Sequence, residues 1–202
     1  MRVLIVSEGF HELSGALEAF VRRLIGAGVK LDAEFEKLSN TKPLHWQGKG
    51  PGHLKRAIKW MEHAAKYGFE AVIIVCDQDD ASHHRKQDPR KPYEDAQAST
   101  NFPIRRAMGV AIRSFDAWIL ADDSALSAVL GRTIPRQPDP EEIKDPKSEC
   151  TKLRDASGKN IDLRDMYAEV AAQADLNTIA ARCPKGFATF AQRVRLLQKA
   201  AS

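Results

Sequence analysis

Apolar residues fall along this chain in two rhythms. RVLIV (2 to 6) and AVIIVC (71 to 76) are nearly unbroken apolar runs of strand length. A strand that is apolar on both faces belongs in a parallel sheet covered by helices on either side. LDAEFEKL (31 to 38) alternates and predicts a more exposed strand, and AMGVAI (107 to 112) predicts a fourth. Between the strands, Leu13, Leu17, Phe20, Val21, Leu24 and Ile25 recur at spacings of three and four, as do Leu54, Ile58, Met61 and Ala65. Each set lines one face of a helix. Gly26 and Gly28 can stop the first helix and Gly68 the second. Strand, helix, strand, helix, strand is the order of a doubly wound α/β domain with a mostly parallel sheet and flanking helices.

The stretch from Asp79 to Pro103 is rich in charge, Pro and Ser and has no apolar period, which predicts a long loop. FDAWILADDSALSAVL (115 to 130) reads as one amphipathic helix ended by Gly131, after which Pro135, Pro138 and Pro140 break the chain. TKLRDA, LRDMYAEVAAQA and FATFAQRVRLLQ predict shorter helices. The expected division is an α/β domain over residues 1–122 and a helical C-terminal extension over 123–202, packed on it. No internal repeat is evident.

Composition narrows the class only a little. The 202 residues are 43% hydrophobic and 29% charged, as in an ordinary globular chain. No apolar run approaches the roughly 20 residues that cross a bilayer, and the N-terminal run lacks a small-residue cleavage site. The expectation is therefore a cytoplasmic protein without a membrane partner. Three widely spaced cysteines, Cys76, Cys150 and Cys183, fit neither a disulfide framework nor a metal site. A net charge of +4 permits nucleic-acid binding without establishing it.

The positions of the acids say more. Glu8, in SEGFHE, follows the first strand, and Asp77, in VCDQDD, follows the third, with Asp79 and Asp80 next. Ligands of open parallel sheets bind beyond the carboxyl ends of the strands, and right-handed crossovers bring those ends to one edge. Glu12 lies one turn beyond Glu8, and Gly9 lets the backbone turn tightly between them. Converging carboxylates repel one another and would protonate unless a cation joined them. Mg²⁺ or Mn²⁺, hard and oxygen-seeking, suits such a set, and a pair of ions could clamp a phosphoryl transfer. Taken singly, each acid has a plainer explanation: Glu at a helix start complements the helix dipole, and Asp after a strand forms turns.

VSEGFHE followed by VIIVCDQDD resembles the acidic motifs of the Toprim domain shared by topoisomerases, bacterial primases and the overcoming-lysogenization-defect (OLD) nucleases, and is closest to the OLD branch. FDAWILAD, EEIKDPK and the late FATFAQRV further resemble small stand-alone Toprim-like proteins encoded beside ATPases and associated with phage defence. The resemblance implies a Toprim-like (Rossmann-like) fold and a divalent-metal-dependent nuclease, with Glu8, Glu12, Asp77 and Asp79 as catalytic, metal-binding acids. Asp80 and Asp116 join them as further candidate metal ligands. The chain departs from the pattern at Ala81, where topoisomerases carry a third aspartate, at His11, where the OLD-like motif commonly has Thr, and at Asp116, where the small proteins often have Glu.

Asp116 can equally charge the start of its helix. Phe115 and Trp118 suit a core better than a base-stacking platform. His83, His84, Arg85, Lys86, Arg90 and Lys91 crowd the charged loop, and with Arg105, Arg106 and Arg113 they are expected near the acids, where they could grip nucleic-acid phosphates; singly, each also suits a solvated surface. WQGKGPGH lacks the spacing and the G-K-[ST] ending of a P-loop, which argues against nucleotide hydrolysis on this chain. Three functions compete at this point: a Toprim-type nuclease cutting DNA or RNA, a non-catalytic Toprim-like module that binds nucleic acid or an ATPase subunit, and a phosphoacceptor receiver. The last lacks the Lys that should follow a fifth strand.

Overall fold

The computed structural model describes residues 1–9, 15–39, 52–78 and 88–199. Four strands, β1 (Arg2–Ser7), β2 (Asp32–Lys37), β3 (Ala71–Asp77) and β4 (Arg105–Ala111), form one sheet in the order β2-β1-β3-β4. Every pairing is parallel, with Val3 opposite Ala71 and Ala71 opposite Arg105. The two apolar runs are the central strands β1 and β3, and β2, with its alternating sequence, is an edge.

Side chains alternate between two cores, as the pleat requires. Leu4, Val6, Val72, Ile74, Cys76 and Met108 face helices α2 (His53–Lys66) and α3 (Arg90–Ala98). Val3, Ile5, Ile73, Val75 and Ala107 face α1 (Leu17–Ile25) and the later helices, including α9 (Phe187–Lys199). Phe190 of α9 lies directly on β4. A Cβ on Gly109 would come within 2.7 Å of the Phe190 ring, so only glycine permits this approach. Residues on both sides of position 122 thus share one continuous core.

Two expectations about the elements are corrected. The charged stretch between β3 and β4 contains α3, which buries Pro92, Tyr93 and Ala96 on one narrow face. Three apolar residues among charged ones were too few to show a period. The run from 115 to 130 is two helices, α4 (Asp116–Leu120) and α5 (Asp123–Leu130), rather than one. The buried Asp122 carboxylate accepts from the N–H groups of Ser124 and Ala125, both at 3.0 Å, starting a new helix where apolar periodicity alone would continue the old one. Gly131, at φ 68°, ends α5 as expected. Of the C-terminal helices, α6 (Pro146–Ser157), α7 (Leu163–Gln173) and α9 match the predicted segments, and the short α8 (Leu176–Arg182) is additional. Among the described residues, no helix is long and apolar enough to cross a membrane.

Candidate functional site at the carboxyl edge

Chain direction locates the crevice. From β1 the chain passes through α1 to β2 on one side, and from β3 it passes through α3 to β4 on the other, with α1 and α3 on opposite faces of the sheet. The carboxyl ends of β1 and β3 therefore flank the topological switch point, where open α/β sheets bind ligands. Glu8 and Asp77 stand at those two ends.

The acids are joined through backbone amides. Glu8 Oε2 accepts from the Asp77 N–H at 3.4 Å, a long bond that guides the carboxylate more than it clamps it. Asp77 Oδ1 accepts from the Phe115 N–H at 2.9 Å. The chain makes that donor available by turning sharply after β4: Arg113 adopts φ 65° and the Ser114 N–H bonds back to the Ile112 carbonyl at 2.9 Å. Such a turn is strained for a residue other than glycine. The ends of β1, β3 and β4, neighbours in the sheet, are thus tied in sequence by two carboxylates.

Other candidates lie elsewhere. Asp116 is buried at the start of α4, and its Oδ1 accepts from the Tyr167 hydroxyl of α7; the Cys150 thiol donates weakly to its carbonyl at 3.8 Å. Its carboxylate thus ties α4 to α7. Arg90 and Lys91 open α3 at the carboxyl edge, where Arg90 pairs with Asp88 at 2.6 Å and Lys91 with Asp95 at 2.5 Å. Arg113 lies at the same edge, in the strained turn. Glu12, Asp79, Asp80, Arg85 and Lys86, together with His83 and His84, fall outside the described residues.

The placement of Arg105 is a correction, as is that of Arg106. They are the first residues of β4, at the amino end of the sheet and a full strand length from Asp77. Arg105 donates to Glu70 Oε2 at 3.0 Å and to the Leu197 carbonyl at 2.8 Å, and Arg106 donates to the Phe102 carbonyl at 2.6 Å. Their guanidiniums are engaged there by Glu70, by the last turn of α9 and by carbonyls of the α3–β4 connection. The apolar run alone placed the strand two residues late and so moved its basic start toward the wrong edge.

Sequence reasoning also passed over one wall of the crevice. The crossover helices α2 and α3 both begin at the carboxyl edge, which brings His53 and Tyr93 together with ring centroids 6.2 Å apart. Tyr93 is fully buried, and burial, with Cys76 and Glu8 nearby, pushes its phenol well above the ordinary value, so it stays protonated. The usable signal was topological: the first turn of every crossover helix must lie at the same edge as the strand ends.

Glu8 and Asp77 are hard oxygen donors of the kind that Mg²⁺ or Mn²⁺ prefers. Among the described residues, no group of three or more His, Cys, Asp or Glu side chains gathers as a metal site. Compared with known proteins, the chain matches no family model, no curated protein and no solved structure.

Proposed function

We propose that this chain is a divalent-metal-dependent nuclease of Toprim type that hydrolyses phosphodiester bonds of DNA or RNA, working in phage defence beside an ATPase partner. The observation that carries this reading is the meeting of Glu8 and Asp77 across the switch point of a parallel sheet. Glu8, Asp77 and, from the resemblance, Glu12 and Asp79 would hold Mg²⁺ or Mn²⁺. Bound there, the metal would supply charge neutralisation and water activation for displacement at phosphorus. The chain's own part is orientation: with Oδ1 engaged by the Phe115 N–H, the Asp77 carboxylate is held in one rotation before any ligand arrives. Arg90, Lys91 and Arg113, at the same edge, are suited to position a phosphate backbone.

Cleavage of a plasmid or oligonucleotide with Mg²⁺ or Mn²⁺, wild type against Asp77→Ala, tests the proposal. Cleavage should be lost in the variant, and cleavage that survives the substitution rejects the assignment.

A second reading has its own observation. The Asp116 carboxylate is buried at the start of α4, and it is engaged by the Tyr167 hydroxyl of α7. These facts favour a non-catalytic module that binds nucleic acid or an ATPase subunit. Metal-dependent turnover by the isolated chain would exclude that reading.

A further inference from the structure

We propose that the outer edge of β2 is a docking site for an extended segment of a partner protein, one that carries basic residues at alternate positions and joins the sheet as an added strand. Such docking does not depend on the nuclease reading.

The sheet treats its two edges differently. Along β4, the Gln97 side chain accepts the Met108 N–H at 2.9 Å and donates to the Arg106 carbonyl at 3.2 Å, and the Arg193 guanidinium donates to the Met108 carbonyl at 2.8 Å. Side chains from α3 and α9 thus take the bonds that a further strand would make on that edge.

The middle of β2 is left open. The N–H groups of Asp32 and Leu38 donate to the Met1 and Ser7 carbonyls at 3.0 and 2.7 Å, which fixes the phase of the strand: its even-numbered residues face β1. The N–H and carbonyl groups of Ala33 and Phe35 therefore point away from β1. Among the described residues, nothing bonds to them. A row of backbone donors and acceptors open in this way is a template for another strand.

Charge selects the occupant. Asp32, Glu34 and Glu36 lie in register with Arg2, Leu4 and Val6 on the α2 face of the sheet, and Ala33 and Phe35 lie half-buried beside Val3 and Ile5 on the α1 face. Arg2 answers Glu34 at 2.7 Å, and among the described residues no basic side chain pairs with Asp32. A second copy of the chain would pair antiparallel about a two-fold axis. Centred anywhere from Ala33 to Glu36, that pairing sets two acids opposite each other, and like charges directly opposite are destabilising. A strand with Lys or Arg at alternate positions meets the acids instead, and apolar residues between them cover Ala33 and Phe35.

The test is titration of the full chain with a short blocked peptide that alternates lysine and valine, followed by backbone amide NMR and hydrogen exchange. In the dilute chain alone, the Ala33 and Phe35 amides should exchange at least tenfold faster than those of Glu34 and Glu36, which face β1. The peptide should shift the amides of residues 33 and 35 and slow their exchange at least tenfold. A peptide with glutamate in place of lysine should bind at least tenfold more weakly. Ala33→Pro removes an outward N–H and keeps the ladder to β1, so it should weaken binding at least tenfold. Asp32→Asn combined with Glu36→Gln keeps the shape of the strand and should weaken binding at least threefold. Amides 33 and 35 that ignore the peptide, equal binding of the glutamate peptide, or unchanged affinity in the charge variant overturn the site. Slow exchange at residues 33 and 35 in the dilute chain alone also overturns it, and slow exchange that grows with chain concentration assigns the edge to a second copy instead.

Discussion

The Glu8 carboxylate reaches across from the end of β1 to accept the Asp77 N–H at the end of β3, 3.4 Å away. Two βα junctions nearly 70 residues apart in sequence are thereby brought within one side-chain length, and the Asp77 carboxylate continues the line to Phe115 at 2.9 Å. Removing the Asp77 carboxylate should therefore loosen the turn after β4 as well as any ligand site. Asp77→Ala is expected to speed hydrogen exchange at the Phe115 amide relative to Asp77→Asn, which keeps an acceptor oxygen. Equal exchange in both would show that the bond contributes nothing to the turn.

Asp116 offers a stability test. Its carboxylate is buried and takes the Tyr167 hydroxyl. Tyr167→Phe leaves that acceptor without its donor, which should cost about 1–3 kcal/mol, measured by urea denaturation. Asp116→Asn, which keeps an acceptor, should cost less.

Packing of the C-terminal helices on the sheet depends on Gly109. Gly109→Ala sets a methyl group 2.7 Å from Phe190 Cδ2. The clash should lower stability by about 1–3 kcal/mol, as overpacked cores do, and Phe190→Leu in the same chain should recover part of the loss. An additive double variant would mean that the ring is not the obstacle.

The chain's acid response follows from carboxylates that pair at the sheet's amino end and at helix starts. Glu70 lies below its ordinary 4.5 because it accepts the Arg2 N–H, with the N-terminus and Arg105 adding to the effect. Asp88 is lowered from 3.8, first by Arg90. Groups whose folded pKa is depressed contribute stability that is complete above the unfolded value and is lost as pH falls through the folded one. Stability should hold down to about pH 5 and decline below it. Because Glu70 is half exposed, Glu70→Gln should reduce the decline by under about 1 kcal/mol, measured as denaturation midpoints between pH 6 and 3.

How much of this was legible in the residues depends on the kind of signal. The unbroken apolar runs of β1 and β3 could only be buried strands, and their ends marked the edge where Glu8 and Asp77 meet. α3 was hidden because a helix resting on the sheet through Pro92, Tyr93 and Ala96 needs few apolar positions. The break at Asp122 was hidden because a cap is one polar residue set within an apolar period. Arg105 was misplaced because strand boundaries are drawn by apolar runs, whereas β4 begins with two arginines whose charges are answered at the sheet's amino end. Tyr93 carried no motif, and only the direction of the crossover helices connects it to Glu8.

The most direct test of the central claim is calorimetric titration of the chain with Mn²⁺, repeated on Glu8→Gln and Asp77→Asn. If one ion is shared across the switch point, the wild type binds it, each variant weakens binding at least tenfold, and the double variant loses little more than either single one. Binding that survives both substitutions, or a wild type that releases no heat with Mn²⁺, would contradict it.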